Sequence, residues 1–152
     1  MKTLTLFRVG AWSWVVTGVG HTVLDTLMSL RPTPPEDEAI TAAMKAHTLE
    51  IGGIARSTSD LLNGFSIATG VAIALVGVLF LIVARSTSPL VGVTWLGLGA
   101  SLVLLAVAAV LLPSPPIVLF SVASLGFGLS LVARRRPASL TPAAEQGAAR
   151  VA

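Results

Sequence analysis

The residues best placed to do chemistry in this chain share one stripe of its first apolar segment. Ser13, Thr17, His21 and Asp25 recur at every fourth position, so on a helix they fall within an arc of about 120°. Their flanks (Val15, Val16, Val19, Val23, Leu24, Leu27) are as apolar as a bilayer core. Ionisable groups there are costly, face the inside of a bundle and mark a functional site by default. An imidazole one turn from a carboxylate can be held in a single tautomer, which suits proton transfer or general acid–base work. A metal would need His47 or Glu50 to join them, since zinc-like ions take three or four ligands. With two histidines and no cysteine in the chain, no metal and no cofactor are predicted, and disulfide and thiolate chemistry are excluded.

The element that must carry this stripe is a membrane helix. Of the 152 residues, 54% are hydrophobic and 11% charged, against about 25% charged in a soluble domain. The deficit is concentrated in runs of spanning length, about 20 residues each, at 9–30, 61–83, 90–112 and 115–133. The fold class predicted is all-α: a four-transmembrane-helix bundle over 1–136, followed by a disordered cytoplasmic tail over 137–152. The first run is too long for a signal-peptide core, and Met28-Ser-Leu-Arg-Pro-Thr-Pro-Pro35 offers no small-x-small cleavage site, so the segment is expected to be retained.

Basic residues set the orientation. Lys2, Arg8, Arg85 and Arg134-Arg135-Arg136 fall on one side if four helices alternate. Both termini are therefore predicted in the cytoplasm of a cell whose inner membrane the protein crosses. The net charge of +3 is topogenic; no basic face with stacking aromatics exists, so nucleic acid is not an expected partner.

Between the first two runs, Thr33-Pro-Pro-Glu36 fits a capping box, and Ile40, Met44, His47 and Ile51 repeat at helical spacing. The reading is an amphipathic extracytoplasmic helix over about 36–51, ended by Gly52-Gly53 and lying across the outer mouth of the bundle. Ser57-Thr-Ser-Asp60 is a second capping box, with Arg56 an interface anchor or a partner for Asp60; Ser88-Pro89 and Ser114-Pro115-Pro116 are further helix starts. Ala55-Arg-Ser-Thr-Ser-Asp60 and Ala84-Arg-Ser-Thr-Ser-Pro89 look alike because both precede helices, not through duplication. Gly70 with Ala74, Gly97 with Ser101, and Ser124 with Gly128 have the small-xxx-small spacing of close helix seams. Trp12 and Trp14 read as aromatic anchors at the inner interface.

At about 1.5 Å per residue, Asp25 falls level with Ser66, and His21 one turn deeper, near Thr69 and Gly70. Asp60, Asn63, Ser66 and Gly70 share a face of their own helix, so the two polar stripes are expected to oppose each other across an outward-facing pocket. Ligand-binding candidates are His21, Asp25, His47, Asn63 and Ser66. The competing structural reading is that His21 and Asp25 merely fix register against Asn63, Ser66 and Thr69, with His47 a packing histidine.

Gly18-Val-Gly-His21, the proline-rich acidic connection, Ala43-Met44 and Gly64-Phe65-Ser66 resemble a family of small four-helix bacterial integral membrane proteins, with a looser likeness to the DoxX-like layout. The resemblance covers roughly residues 7–80 and implies the fold, with no activity. Relatives of this kind often carry a second intramembrane histidine shortly after the Gly-Phe pair, where this chain reads Ser66-Ile-Ala-Thr69.

Three functions follow as expectations. The first is a bilayer protein that binds a small or lipidic molecule, or a membrane partner, in a pocket between the first two helices that the loop helix covers. The second is a membrane-embedded enzyme on an apolar substrate, with His21 as base and Asp25 as orienter. The third, a small transporter or proton pathway, is disfavoured because the stripe does not continue inward past Ser13.

Overall fold

In the computed structural model, residues 2–86 and 90–135 are described. The order is α1 (Lys2–Ser29), a 3-10 turn (Pro35–Asp37), α2 (Glu38–Ala46), β1 (Thr48–Ile51), β2 (Ile54–Ser57), α3 (Thr58–Val83), α4 (Val91–Leu111) and α5 (Ser114–Arg135). Helices α3, α4 and α5 are long and apolar enough to cross a membrane. The polar stripe keeps α1 out of that group, although it is the longest helix at 28 residues. The expected Ser88-Pro89 helix start and the 137–152 tail lie outside the described residues.

Helix α1 packs along α3 on one side and α5 on the other, and α4 packs on α5. Glycines make these approaches possible. A Cβ on Gly18 would strike the α3 backbone at Gly70 and Ala74, and one on Gly77 would lie 2.6 Å from the Val15 nitrogen. At the α1–α5 crossing, a Cβ on Gly126 would lie 2.8 Å from the Gly10 nitrogen. The Gly70/Ala74 seam forms as expected, whereas Gly97 makes room for the Phe127 ring, 2.9 Å from where its Cβ would stand. On α5 the seam residue is Gly126 rather than Gly128, whose Cβ would meet only Leu98 at 3.9 Å. Spacing alone could not choose, because both glycines have small neighbours.

Between the helices Phe7, Trp14, Phe80, Phe120 and Phe127 build an edge-to-face cluster, with ring centroids 5.3 Å apart for Phe7–Phe127 and Phe80–Phe127. Trp14 corrects an expectation. It is 4% exposed against 56% for Trp12, and its Nε1–H donates to Ser101 Oγ at 2.9 Å. Two residues apart on a helix point to nearly opposite sides, so only Trp12 is free to anchor at an interface.

The connection after α1 also differs from expectation. No side chain caps the turn at Pro35 or the start of α2, so the Thr33/Glu36 capping box does not form. Helix α2 stops at Ala46, five residues before Ile51, and the chain turns back as an antiparallel hairpin with Ile51 opposite Ile54. Gly52 and Gly53 have φ of 62° and 81°, the pair of left-handed residues that a two-residue type I′ hairpin turn requires. They serve as a hairpin turn, not a helix stop. The serine cap of the second box does form: Ser57 Oγ accepts the Asp60 N–H at 3.1 Å, and the Asp60 carboxylate accepts from the Ser57 hydroxyl at 2.7 Å rather than from its backbone N–H.

Gly18→Ala should cost about 2 kcal/mol or more, because backbone cannot yield to the added methyl. Gly20→Ala, whose Cβ meets nothing within 4 Å, should be neutral or mildly stabilising. Thermal unfolding in detergent, monitored by circular dichroism, compares the two.

Candidate functional site

The stripe on α1 divides by chemistry. Ser13 Oγ donates to the Val9 carbonyl at 3.1 Å and Thr17 Oγ1 to the Ser13 carbonyl at 2.7 Å, so both buried hydroxyls are satisfied on their own helix. His21 reaches across to α3, its Nε2 hydrogen-bonded to Ser66 Oγ at 3.1 Å. The expected level pairing of α1 with α3 thus brings His21 and Ser66 together, with His21 rather than Asp25 at the depth of Ser66. Gly70 lies beside them, where an added Cβ would be 3.0 Å from His21 Cδ2. Thr69, expected nearby, is exposed and donates to the Phe65 carbonyl on its own helix.

Asp25 stands one turn above His21. Its Oδ2 is buried and has no hydrogen-bond partner. Both residues line a cavity of about 300 Å³, but its far wall is not α3. That wall is the α4–α5 turn and the start of α5: Leu112, Pro113, Pro115, Pro116 and Leu119. From α1 come Thr17, Gly20, Leu24 and Met28 beside the two ionisable residues. Equal depth on α1 and α3 says nothing about azimuth. Because α1 is flanked on two sides, its stripe sits on α3 at Ser66 and opens toward α5 at the cavity.

The other candidates lie elsewhere. Asn63 is exposed and lines a separate polar cleft of about 640 Å³ with Arg31, Asp37, Lys45 and Asp60. His47 caps the C-terminus of α2, and its Nδ1 lies 2.9 Å from Thr58 Oγ1, while the Thr58 N–H donates to the His47 carbonyl at 2.9 Å. It ties α2 to the start of α3. Helix α2 contributes Ile40, Thr41 and Lys45 to the polar cleft and no residue to the His21/Asp25 cavity, so the expected cover is not over that cavity. Its anchor to α3 through the hairpin holds it on the other side. Among the described residues no group of three or more His, Cys, Asp or Glu could hold a metal. Sequence reasoning missed the proline-built wall at Pro115-Pro116, which it treated as a helix start alone.

The cavity is mostly apolar, and one of its two ionisable lining residues, Asp25, has a buried Oδ2 with no hydrogen-bond partner. Buried acceptors are nearly always satisfied by protein, water or ligand, and no protein group serves this one. No family model, curated relative or solved structure matches the chain, and the functional reading rests on this geometry.

Ser66→Ala, which removes the only side chain hydrogen-bonded to His21 among the described residues, should lower stability by about 1 kcal/mol. Asn63→Ala, exposed on another wall, should change it by less than about 0.5 kcal/mol. Paired melting curves of the two variants test the assignment of register to Ser66.

Proposed function

We propose that the chain is a four-helix integral protein of the cell inner membrane, both termini cytoplasmic, that binds a small lipidic molecule carrying a hydrogen-bond donor beside His21 and Asp25. The observation that carries this reading is that Asp25, whose buried Oδ2 has no hydrogen-bond partner, lines a cavity with mostly apolar walls.

Support for α1 as a fourth crossing comes from its packing. It meets its neighbours from Thr3, whose carbonyl accepts from Ser130 Oγ, to His21 at Ser66, a rise of about 27 Å. That is close to the hydrocarbon thickness of about 30 Å, and a helix flanked for that distance by α3 and α5 shares their depth. The two elements beside the cavity opening, the end of α1 and the α4–α5 turn, belong to the extracytoplasmic end in this topology. Because the parent chain lacks cysteine, single cysteines report topology cleanly. Thr33→Cys should react with a membrane-impermeant maleimide in intact spheroplasts, and Arg135→Cys only after lysis.

Binding is preferred over catalysis because His21 is engaged by Ser66, whereas the acid–base reading wants it oriented by Asp25. Asp25→Leu separates the binding site from structural glue. A buried unsatisfied acceptor costs about 1–3 kcal/mol, so its removal should raise the melting temperature. The variant should also lose the upward shift that 1-dodecanol, but not dodecane, gives the parent. Destabilisation by Asp25→Leu, with no alcohol-specific shift in the parent, would assign the carboxylate to register and remove the binding reading.

A further inference from the structure

A second groove, unrelated to the His21/Asp25 cavity, runs down α3 from the base of the hairpin. It has a volume of about 350 Å³ and is lined by Arg56, Asp60, Leu61, Gly64, Phe65 and Ala68. On a helix, 61, 64, 65 and 68 fall on one face, and that face lies roughly opposite the Ser66, Gly70 and Gly77 face that packs on α1. No helix is packed there: among the described residues α3 has its extensive helix contact with α1 alone. Gly64 leaves the floor open, with nothing within 4 Å of where a Cβ would stand, and Phe65 is 69% exposed beside it. Among the described residues, α3 is one of three helices long and apolar enough to cross a membrane, and in a bilayer this open face would meet lipid.

The head of the groove carries two opposite charges. The Arg56 guanidinium has no ion-pair or hydrogen-bond partner among the described residues. Asp60 is held at the first turn of α3 by Ser57. The hairpin adds a matching surface: Leu49, Ile51, Ile54 and Arg56 alternate onto one face of the two strands, and Leu49, Ile51 and Ile54 are all exposed. Such a face, apolar with a cation at its margin, suits the headgroup boundary of a bilayer.

We infer that this groove is a site for one phospholipid whose headgroup pairs a phosphate with a primary ammonium, the phosphate on Arg56, the ammonium on Asp60 and an acyl chain along Leu61, Gly64, Phe65 and Ala68. A guanidinium binds phosphate by charge-assisted, often bidentate hydrogen bonds. A primary ammonium can donate to the remaining carboxylate lone pairs, which a trimethylammonium cannot do. The opposed charges also disfavour a purely anionic headgroup. The inference rests on α3 crossing the membrane and is independent of any ligand beside Asp25.

The test is native mass spectrometry of the full chain released from mixed micelles of phosphatidylethanolamine, phosphatidylglycerol and phosphatidylcholine with identical chains, together with a diazirine photo-crosslinker in place of Phe65 in membranes. The parent should retain phosphatidylethanolamine in preference to the other two, and the crosslinker should capture lipid. Arg56→Gln should retain about tenfold less, the loss of one charge-assisted contact. Asp60→Asn should abolish the preference between the ethanolamine and choline lipids, and Gly64→Leu, which fills the floor, should abolish retention. Equal retention by parent and variants, a preference for phosphatidylglycerol, or capture of a protein at position 65 would each overturn the assignment.

Discussion

The structure depends on how closely the backbone of α1 can approach two neighbours at once. Inside a bilayer, water does not drive helices together, so contact must come from backbone proximity, dispersion and the occasional polar pair. Gly18 against Gly70 and Ala74, Val15 against Gly77, and Gly10 against Gly126 supply that proximity on the two sides of one helix. The aromatic cluster of Phe7, Trp14, Phe80, Phe120 and Phe127 then fills the space the glycines leave between the helices. The same arrangement explains why the most polar long helix is the central one. Its polar stripe runs where α3 and α5 flank it.

Along α1, hydroxyls and ionisable groups behave differently. Ser13, Thr17, Thr22 and Thr26 each donate back to a carbonyl four residues earlier. They need nothing from another helix, so their presence says little about function. An imidazole cannot fold back in this way, and His21 takes its hydrogen bond from α3 at Ser66. Asp25 Oδ2 is buried with no hydrogen-bond partner, and the interior of a helix has no free N–H to offer it. Asp25 Oδ2 therefore stays unsatisfied unless something outside its own helix serves it.

Much of this was legible in the sequence, and the limits have physical causes. Runs of apolar length located α3, α4 and α5 to within a few residues, and Ser57–Asp60 announced its own cap. The start of α1 was placed at Val9 because hydropathy falls over Lys2–Arg8, yet Phe7 is fully buried there and the helix continues to Lys2. Gly52-Gly53 suits either a helix end or a type I′ turn, and the choice turned on strand pairing between Thr48–Ile51 and Ile54–Ser57, which no periodicity of the preceding helix could foretell. The site was half visible. Residue spacing gives a polar face and a depth; it does not say which of several lipid-length helices stands opposite. Hence Ser66 was matched to the right helix while the Pro113–Pro116 wall went unseen, and Asn63 was assigned to a pocket that it does not line.

The placement of the extramembrane segment bears on how a ligand would reach Asp25. His47 and Thr58 bind the end of α2 to the start of α3, and β2 runs directly into that helix. The hairpin and α2 therefore belong to the α3 side of α1, above the polar cleft of Arg31, Lys45 and Asn63. The cavity of His21 and Asp25 opens on the α5 side, where Leu24, Met28, Leu112 and Leu119 line it and the loop helix does not reach. A polar solute arriving from water would have to cross this apolar margin with its hydration shell removed. A molecule already dissolved in the bilayer would lose no hydration and could move sideways past Leu24 and Met28 until its donor met the carboxylate. On the proposed binding reading, the asymmetry of the loop, anchored to one neighbour of α1 and absent from the other, favours a ligand drawn from the membrane.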